Sequence, residues 1–221
     1  MKFRYALLAA LLASAAYAQD ILTADQFFRS VSETYAGIKD YEAAITVRTS
    51  KQSMSGTVSY LAPSLMRVDF TQPAGQVIVY NGETMVVYVP ELRVVLNQQT
   101  SATSGSAAAT GNGLRMLGSN YKISFLVGPE PVPLSETESE SVIKLLLTRN
   151  SVAEGFRTIT LSINPKTLLI RRLEGVTMTG ETLSYDFSNI RLNQGIPAAR
   201  FLYDTPPSAN VYNNFLFSSD N

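Results

Sequence analysis

Three kinds of side chain are missing from this 221-residue chain, which contains no cysteine, no histidine and no tryptophan. Without histidine the chain cannot build a Ser-His triad, a Cys-His pair or a histidine-rich metal site. Without cysteine it forms no disulfide and cannot be lipidated on an N-terminal cysteine, so its stability must come from a packed core. These absences predict a binding protein that is not an enzyme and that needs no metal or cofactor.

Catalytic motifs and a surplus of charge of one sign are missing as well. The sequence has neither the GxSxG nucleophile elbow nor the phosphate-binding GxxxxGK[ST] loop. A hydrolase built on two carboxylates remains open, but most acidic residues lie in the first predicted helix, in turns or between 130 and 140, where solvation explains them. The 18 basic and 18 acidic residues balance, which argues against a nucleic-acid or polyanion partner.

The first twenty residues, MKFRYALLAALLASAAYAQD, show the three parts of a secretory signal. A basic start with Lys2 and Arg4 precedes an apolar run, and small residues such as Ala16 follow it. The pattern predicts a cleaved signal peptide over residues 1–18, which leaves residues 19–221 as one domain. The apolar run is too short to span a membrane. We therefore expect the mature protein to be free in an extracytoplasmic fluid.

The mature chain predicts one helix followed by many strands. Thr23-Ala24-Asp25-Gln26 is a capping-box sequence, and Phe27, Val31 and Tyr35 follow at helical spacing, so a helix is expected over 23–36. Short β-branched runs separated by turn residues predict a single antiparallel sheet or barrel. The expected strands are 41–49, 55–61, 65–71, 76–80, 84–89, 92–97, 121–127, 141–149, 156–163, 167–177, 182–192 and 199–204.

Two segments interrupt the strands. SATSGSAAATGNG (101–113) is small and polar, which predicts a mobile loop, and it runs into a short apolar helical turn at Leu114–Leu117. GPEPVPLSETESES (128–141) is rich in proline and acidic residues and is expected to be a solvated loop.

The stretch VIVYNGETMVVYVP (77–90) is apolar on both faces of an expected hairpin. Asn81-Gly82 predicts a two-residue type I′ turn, with Ile78 opposite Met85 and Val77 opposite Val86. A strand in a sheet with one solvent-exposed face should alternate apolar and polar residues. Two arrangements would explain the pattern. In the first, the sheet curves around an apolar interior and only its centre is covered on the outer face as well. In the second, the sheet is part of a plain core with a helix on each side.

Several motifs in a fixed order resemble the LolA-type outer-membrane lipoprotein carrier family, which sorts lipoproteins. They are Pro63, Thr71-Gln72-Pro73, Asn81-Gly82-Glu83-Thr84, Tyr88-Val89-Pro90 and the ending Phe201-Leu202-Tyr203-Asp204-Thr205-Pro206-Pro207. The likeness extends over essentially the whole mature chain. It implies a mainly β fold with few helices, namely an open, unclosed antiparallel β-barrel with a helical lid over an apolar cavity.

The resemblance also implies a function. Family members are periplasmic carriers that bind the acyl chains of lipoproteins and ferry them, as monomers, from an inner-membrane lipoprotein-releasing transporter to an outer-membrane acceptor. A related lipid-binding module or sensor with a different lipid cargo is the alternative. A purely structural or adhesive β protein is a third interpretation, and it would need no cavity.

By the same resemblance, we expect a set of apolar residues to line the cavity and a second set to form the lid, although packing in a core explains each of them equally well. The cavity residues are Met66, Val68, Phe70, Ile78, Met85 and Val87, and the lid residues are Phe27, Val31, Leu114, Met116 and Leu117.

The sequence departs from the family at a position that affects the lid. Carriers often have an arginine that bonds to the lid just before the proline matching Pro63, and here that residue is Ala62. We expect a lid held mainly by apolar contacts from Phe27, Val31 and Met116, and therefore easier to open.

Overall fold

A computed structural model of the chain describes residues 22–99, 109–151 and 155–214. The predicted signal peptide and residues 101–108 of the predicted mobile loop lie outside these ranges. Helix α1 (Ala24–Ala36) begins and ends as predicted. Gln26 donates its backbone N–H to the Thr23 hydroxyl at 3.2 Å and its side-chain oxygen accepts the Thr23 N–H at 2.8 Å, which completes the capping box.

The strands and the second helix follow in chain order. They are β1 (Asp40–Arg48), β2 (Ser53–Leu61), β3 (Leu65–Gln72), β4 (Val77–Tyr80), β5 (Thr84–Val89), β6 (Val94–Gln99), α2 (Gly111–Asn120), β7 (Tyr121–Phe125), β8 (Val132–Pro133), β9 (Ser141–Arg149), β10 (Phe156–Ile163), β11 (Ile170–Thr177), β12 (Thr182–Leu192) and β13 (Asn210–Asn213). Helix α2 extends the predicted turn Leu114–Leu117 in both directions.

One sheet contains all the strands, in the order β13-β6-β5-β4-β3-β2-β1-β12-β11-β10-β9-β7, with β8 paired to β9 beside this path. Every pair is antiparallel except β13 with β6. Within the described part of the chain the path ends at β13 and β7, so the sheet does not close. Its apolar concave face and the two helices form the buried cluster that includes Phe27, Val31, Leu114, Val68 and Leu161. The predicted mainly β, unclosed fold is confirmed.

The hairpin between β4 and β5 has a different register from the one predicted. Ile78 pairs with Val87 and Tyr80 pairs with Met85, so the expected pairing of Ile78 with Met85 is wrong. The Asn81 side chain accepts the backbone N–H groups of Glu83 and Thr84 at 3.0 and 2.8 Å, which closes a longer loop in place of a two-residue turn. A shift of two residues preserves the side-chain alternation, so Ile78, Met85 and Val87 still share one face.

The acidic segment 128–141 is attached to the sheet and is not simply a solvated loop. Leu134 is buried against the convex side of β9, where Val142 is also buried. Two ion pairs anchor the segment: Glu138 accepts from Arg172 at 3.0 Å and Glu140 accepts from Arg171 at 2.8 Å.

Residues 199–204 do not form the predicted strand. Residues Ala198–Phe201 form a 3-10 turn, and the chain then crosses the convex face of β3 to β6 before it forms β13. The carbonyl oxygens of Arg200 and Leu202 accept hydrogen bonds from the Arg67 guanidinium at 3.3 and 3.1 Å, and these bonds replace a strand ladder. We call residues 198–214 the C-terminal strap.

The strap explains why the hairpin is apolar on both faces. Val79 and Val95 point to the convex side and are buried there, as is Phe201 of the strap. The rings of Tyr88 and Tyr203 also meet on this side, with centroids 6.1 Å apart. The second apolar face is therefore ordinary packing beneath the chain's own C-terminal segment.

A charge cluster at Asp69 holds the strap, and this predicts an acid-sensitive contact. Asp69 accepts from Arg67 at 2.9 Å and also from Arg200. Burial alone would raise the pKa of Asp69, but the hydrogen bonds and charges of the two arginines outweigh it, and the pKa is lowered. A lowered pKa in the folded state stabilises the protein above the unfolded pKa of about 3.9, and this contribution is lost as the pH falls through the folded value.

We expect Asp69→Asn to lower the free energy of unfolding by about 1–2 kcal/mol at pH 7, because two half-buried guanidinium groups lose their charged acceptor. The difference from the unsubstituted protein should shrink as the pH is taken below 4. Urea unfolding at pH 7 and pH 3 measures both effects. Asp204→Asn removes the same charge from an exposed position of the strap and should change stability by less than about 0.5 kcal/mol. Equal effects of the two substitutions would contradict this role for Asp69.

Candidate functional site

The candidate site is the concave face of the sheet, where the sequence placed both the cavity and the lid. Register puts Met66, Val68 and Phe70 of β3 on this face, because they pair with Tyr60, Val58 and Gly56 of β2. Alternation continues the face onto the next strands, so all six expected cavity residues lie on one surface.

These six residues differ in how far they are buried. Val68 and Phe70 belong to the buried cluster beneath the helices. Met66 and Ile78 are half-buried and pack against that cluster. Met85 and Val87, farther along the sheet on β5, are also half-buried. The concave face is therefore sealed at its middle and only partly covered at Met85 and Val87 on β5.

The expected lid residues lie over the sealed part. Phe27 and Val31 of α1, together with Leu114 and Leu117 of α2, are buried in the same cluster as Val68. Met116 is half-buried. The helices thus occupy the space in which the resemblance places a cavity. A gap among Tyr35, Tyr41 and Phe187 has a volume of about 10 Å³, roughly the room needed by one water molecule.

An acyl chain can reach this part of the face only if the helices move, and α2 is poorly suited to hold its place alone. Three of its ten residues are glycine, at 111, 113 and 118, and each glycine disfavours a helix by about 1 kcal/mol relative to alanine. Gly111 also lets the two helices touch, since a Cβ there would lie 3.0 Å from the Cα of Ala36. Helix α2 therefore depends on contacts with α1 and the sheet.

Buried hydroxyl groups supply some of those contacts. Tyr41 of β1 donates its hydroxyl to the carbonyl oxygen of Ala109, just before α2, at 3.2 Å. On α1, the Tyr35 hydroxyl accepts the backbone N–H of Ile170 at 3.0 Å. Burial raises the pKa of Tyr41 well above its ordinary value and that of Tyr35 to about 12. Both hydroxyls therefore stay protonated at physiological pH.

A third polar contact lies near the position where the family has its arginine. Asn112 of α2 donates to the carbonyl oxygen of Pro63 at 3.4 Å, while Ala62 itself is exposed and donates its N–H to the carbonyl oxygen of Lys39. The structure thus adds hydrogen bonds to the apolar contacts that the sequence predicted. Nothing in the sequence signalled these bonds, because Tyr35 and Tyr41 fit equally well as plain members of an apolar helix face and of a strand.

We expect Tyr41→Phe to open the lid more often. The substitution keeps the ring but leaves the buried Ala109 carbonyl without its donor, which costs about 0.5–1.5 kcal/mol, or a factor of roughly two to ten in the opening equilibrium. Hydrogen exchange of the amides in 111–120 measures that opening. Tyr80→Phe is the matched control, since the Tyr80 hydroxyl likewise donates to a backbone carbonyl oxygen, that of Gly82 at 2.8 Å, but within the hairpin of β4 and β5 and not towards α2. Equal exchange in the two variants would show that Tyr41 does not hold the lid.

The concave face offers mainly apolar contacts, and Gln98, which pairs with Met85, is a buried polar side chain on it. None of the eleven expected cavity and lid residues carries a charge. In residues 22–99, 109–151 and 155–214, acidic side chains nowhere gather in a group of three or more that could hold a metal ion. Across the same ranges no helix combines the length and the apolar character needed to cross a bilayer.

Comparison with protein families finds a match to the family described as "Outer membrane lipoprotein carrier protein LolA", over residues 45–204. An outer-membrane lipoprotein carrier protein of Dechloromonas aromatica is 26% identical over 190 residues, which is 85% of this chain and 86% of the relative. One from Methylibium petroleiphilum is 26% identical over 204 residues, 91% of this chain and 93% of the relative.

Solved structures share the fold at lower identity. An uncharacterized conserved protein from Thermus thermophilus superposes with a TM-score of 0.56 at 15% identity, covering 86% of this chain and 98% of that protein. The Mycobacterium tuberculosis lipoprotein LppX superposes with a TM-score of 0.50 at 14% identity, covering 78% of this chain and 96% of that one. At this level of identity the likeness concerns the fold alone.

Proposed function

Because this chain belongs to the LolA family of outer membrane lipoprotein carrier proteins, we propose that it is a carrier without enzymatic activity that binds the acyl chains of lipoproteins on its concave face. The observation that carries the proposal is a continuous apolar face, shared by the six expected cavity residues, of which one part is covered by the two helices and another part is half-exposed.

The closed interior fits a carrier that must release its cargo. Each buried CH₂ group contributes about 0.8 kcal/mol, so three fully buried acyl chains would be held too tightly to leave unaided. In this fold Phe27, Val31, Leu114 and Leu117 already cover the apolar surface. Bound acyl chains have to displace them, and the net affinity is the difference between the two sets of contacts. Release then needs no nucleotide.

The finer steps of the proposal follow from the family and from the sequence. The signal peptide over 1–18 is cleaved, and residues 19–221 act as one monomeric domain in the periplasm. An inner-membrane lipoprotein-releasing transporter supplies the cargo, and an outer-membrane acceptor receives it.

Titration of the mature protein with a fluorescent fatty acid tests the binding step. Saturable binding that a triacylated lipopeptide displaces is the expected result, together with recovery of lipoprotein from protein purified out of the periplasm. Absence of any acyl binding would overturn the proposal. Recovery of another lipid in place of lipoprotein would retain the binding activity but assign a different cargo.

A further inference from the structure

The register of the sheet lines up one row of apolar side chains on the concave face, running from the core to the free edge. Val68 pairs with Ile78, Ile78 with Val87, Val87 with Leu96, and Leu96 with Tyr212 of β13. Directly paired residues point to the same face of a sheet. We call these five residues the edge row.

Burial is greatest at one end of the edge row and least at the other. Val68 is 7% exposed beneath the helices, Ile78, Val87 and Leu96 are half-buried, and Tyr212 is 54% exposed at the end of the row. The row therefore joins the surface covered by the lid to a surface that is accessible while the lid is closed.

Tyr212 comes from the C-terminal strap, which crosses the convex side and then pairs with β6 at the edge of the sheet. Its neighbour Val211 pairs with Val95, which points to the convex face. Because side chains alternate along a strand, Tyr212 points to the concave face. The strap thus packs on the convex face and also contributes the side chain of Tyr212 to the concave face.

The length and chemistry of the edge row suit an acyl chain. The edge row crosses four steps between neighbouring strands, at about 4.8 Å each, so it is roughly 19 Å long. An acyl chain in one leaflet of a bilayer spans half of a hydrocarbon core of about 30 Å, or about 15 Å. The row is therefore long enough to hold one extended acyl chain. The adjacent row, Tyr60, Met66, Tyr80 and Met85, is neutral as well and contains methionine, which adapts to irregular apolar partners.

We propose that the edge row is the entry path for one acyl chain of the cargo, and that Tyr212 is a cargo-binding residue at its mouth. This inference rests on the proposed function. The ring of Tyr212 contacts the chain while its hydroxyl remains in water near the polar end of the lipid, an arrangement for which tyrosine is well suited. The chain binds along the half-exposed residues first and then displaces α1 and α2 from Val68.

A residue at the mouth should control how fast the chain enters more than how tightly it is finally held. Stopped-flow mixing of the mature protein with a fluorescent fatty acid measures the association rate. We expect Tyr212→Glu to slow association at least tenfold. Val211→Glu is the matched control, because it places the same charge on the adjacent, similarly exposed residue of β13 but on the convex face; it should leave the rate within twofold.

The outcomes separate the two proposals. Unchanged association in Tyr212→Glu, or equal slowing by Val211→Glu, would overturn the entry path while leaving the carrier function intact. Failure of the unsubstituted protein to bind the fatty acid would instead overturn the carrier function on which the entry path rests.

Discussion

Replacing Phe70 with glutamate is expected to unfold the protein, in addition to removing an apolar contact for cargo. Phe70 is 5% exposed and lies in the cluster covered by the helices. Loss of a buried phenylalanine costs about 3–5 kcal/mol, and a carboxylate in its place adds the cost of burying a charge or of protonating it. This sum is comparable with the whole stability of an ordinary domain.

The backbone around Phe70 is tightly packed. Gly56 pairs with Phe70 across β2 and β3, and a Cβ on Gly56 would lie 2.2 Å from the carbonyl oxygen of Asp69. The two strands are therefore in close contact at this position. Urea unfolding followed by near-ultraviolet circular dichroism measures the effect.

Two further variants test whether the loss of stability comes from the buried charge. Phe70→Leu should remain folded, because it keeps an apolar side chain in the core. Gln72→Glu introduces the same charge at a nearby exposed position of β3 and should be nearly neutral. A folded, stable Phe70→Glu protein that no longer binds lipid would show that Phe70 lines an accessible cavity and that the closed arrangement of the helices is a minor state.

Replacing Val87 with glutamate should have the opposite outcome, a folded protein with weak cargo binding. Val87 is half-buried on β5, on the open part of the concave face, so a carboxylate there can reach water when no cargo is present. An acyl chain lying on it would desolvate the charge, at a cost of about 2 kcal/mol or more, or roughly a 30-fold higher dissociation constant. Fluorescent fatty acid titration measures the constant.

Val86→Glu is the control for this experiment. Val86 is also half-buried on β5 but pairs with Val79 on the convex face, beneath the C-terminal strap. Its substitution should lower stability without changing the dissociation constant of the folded fraction. If both variants bind the fatty acid as the unsubstituted protein does, cargo does not lie on this part of the sheet.

Local patterns in the sequence determined helix α1 and the faces of the strands that follow it. The capping box and the spacing of Phe27, Val31 and Tyr35 defined α1. Alternation assigned Met66, Val68 and Phe70 to one side of β3. These features depend on interactions within a few residues, or on a period of two that holds wherever the strand is placed. The ordered motifs from Pro63 to Pro207 then indicated the family, and with it the open sheet.

Only the tertiary structure decided what covers each face, because the deciding contacts join distant parts of the chain. The Asn81 side chain lengthened the hairpin loop and moved the register by two residues, a shift that alternation cannot detect since it preserves the faces. Arg67 binds the carbonyl of Arg200, 133 residues away, and so turns a predicted strand into the C-terminal strap. The hydroxyl of Tyr41 reaches Ala109 across 68 residues to hold the lid. No local pattern marks such partners, since they meet only after the sheet has curved and the helices have packed into it.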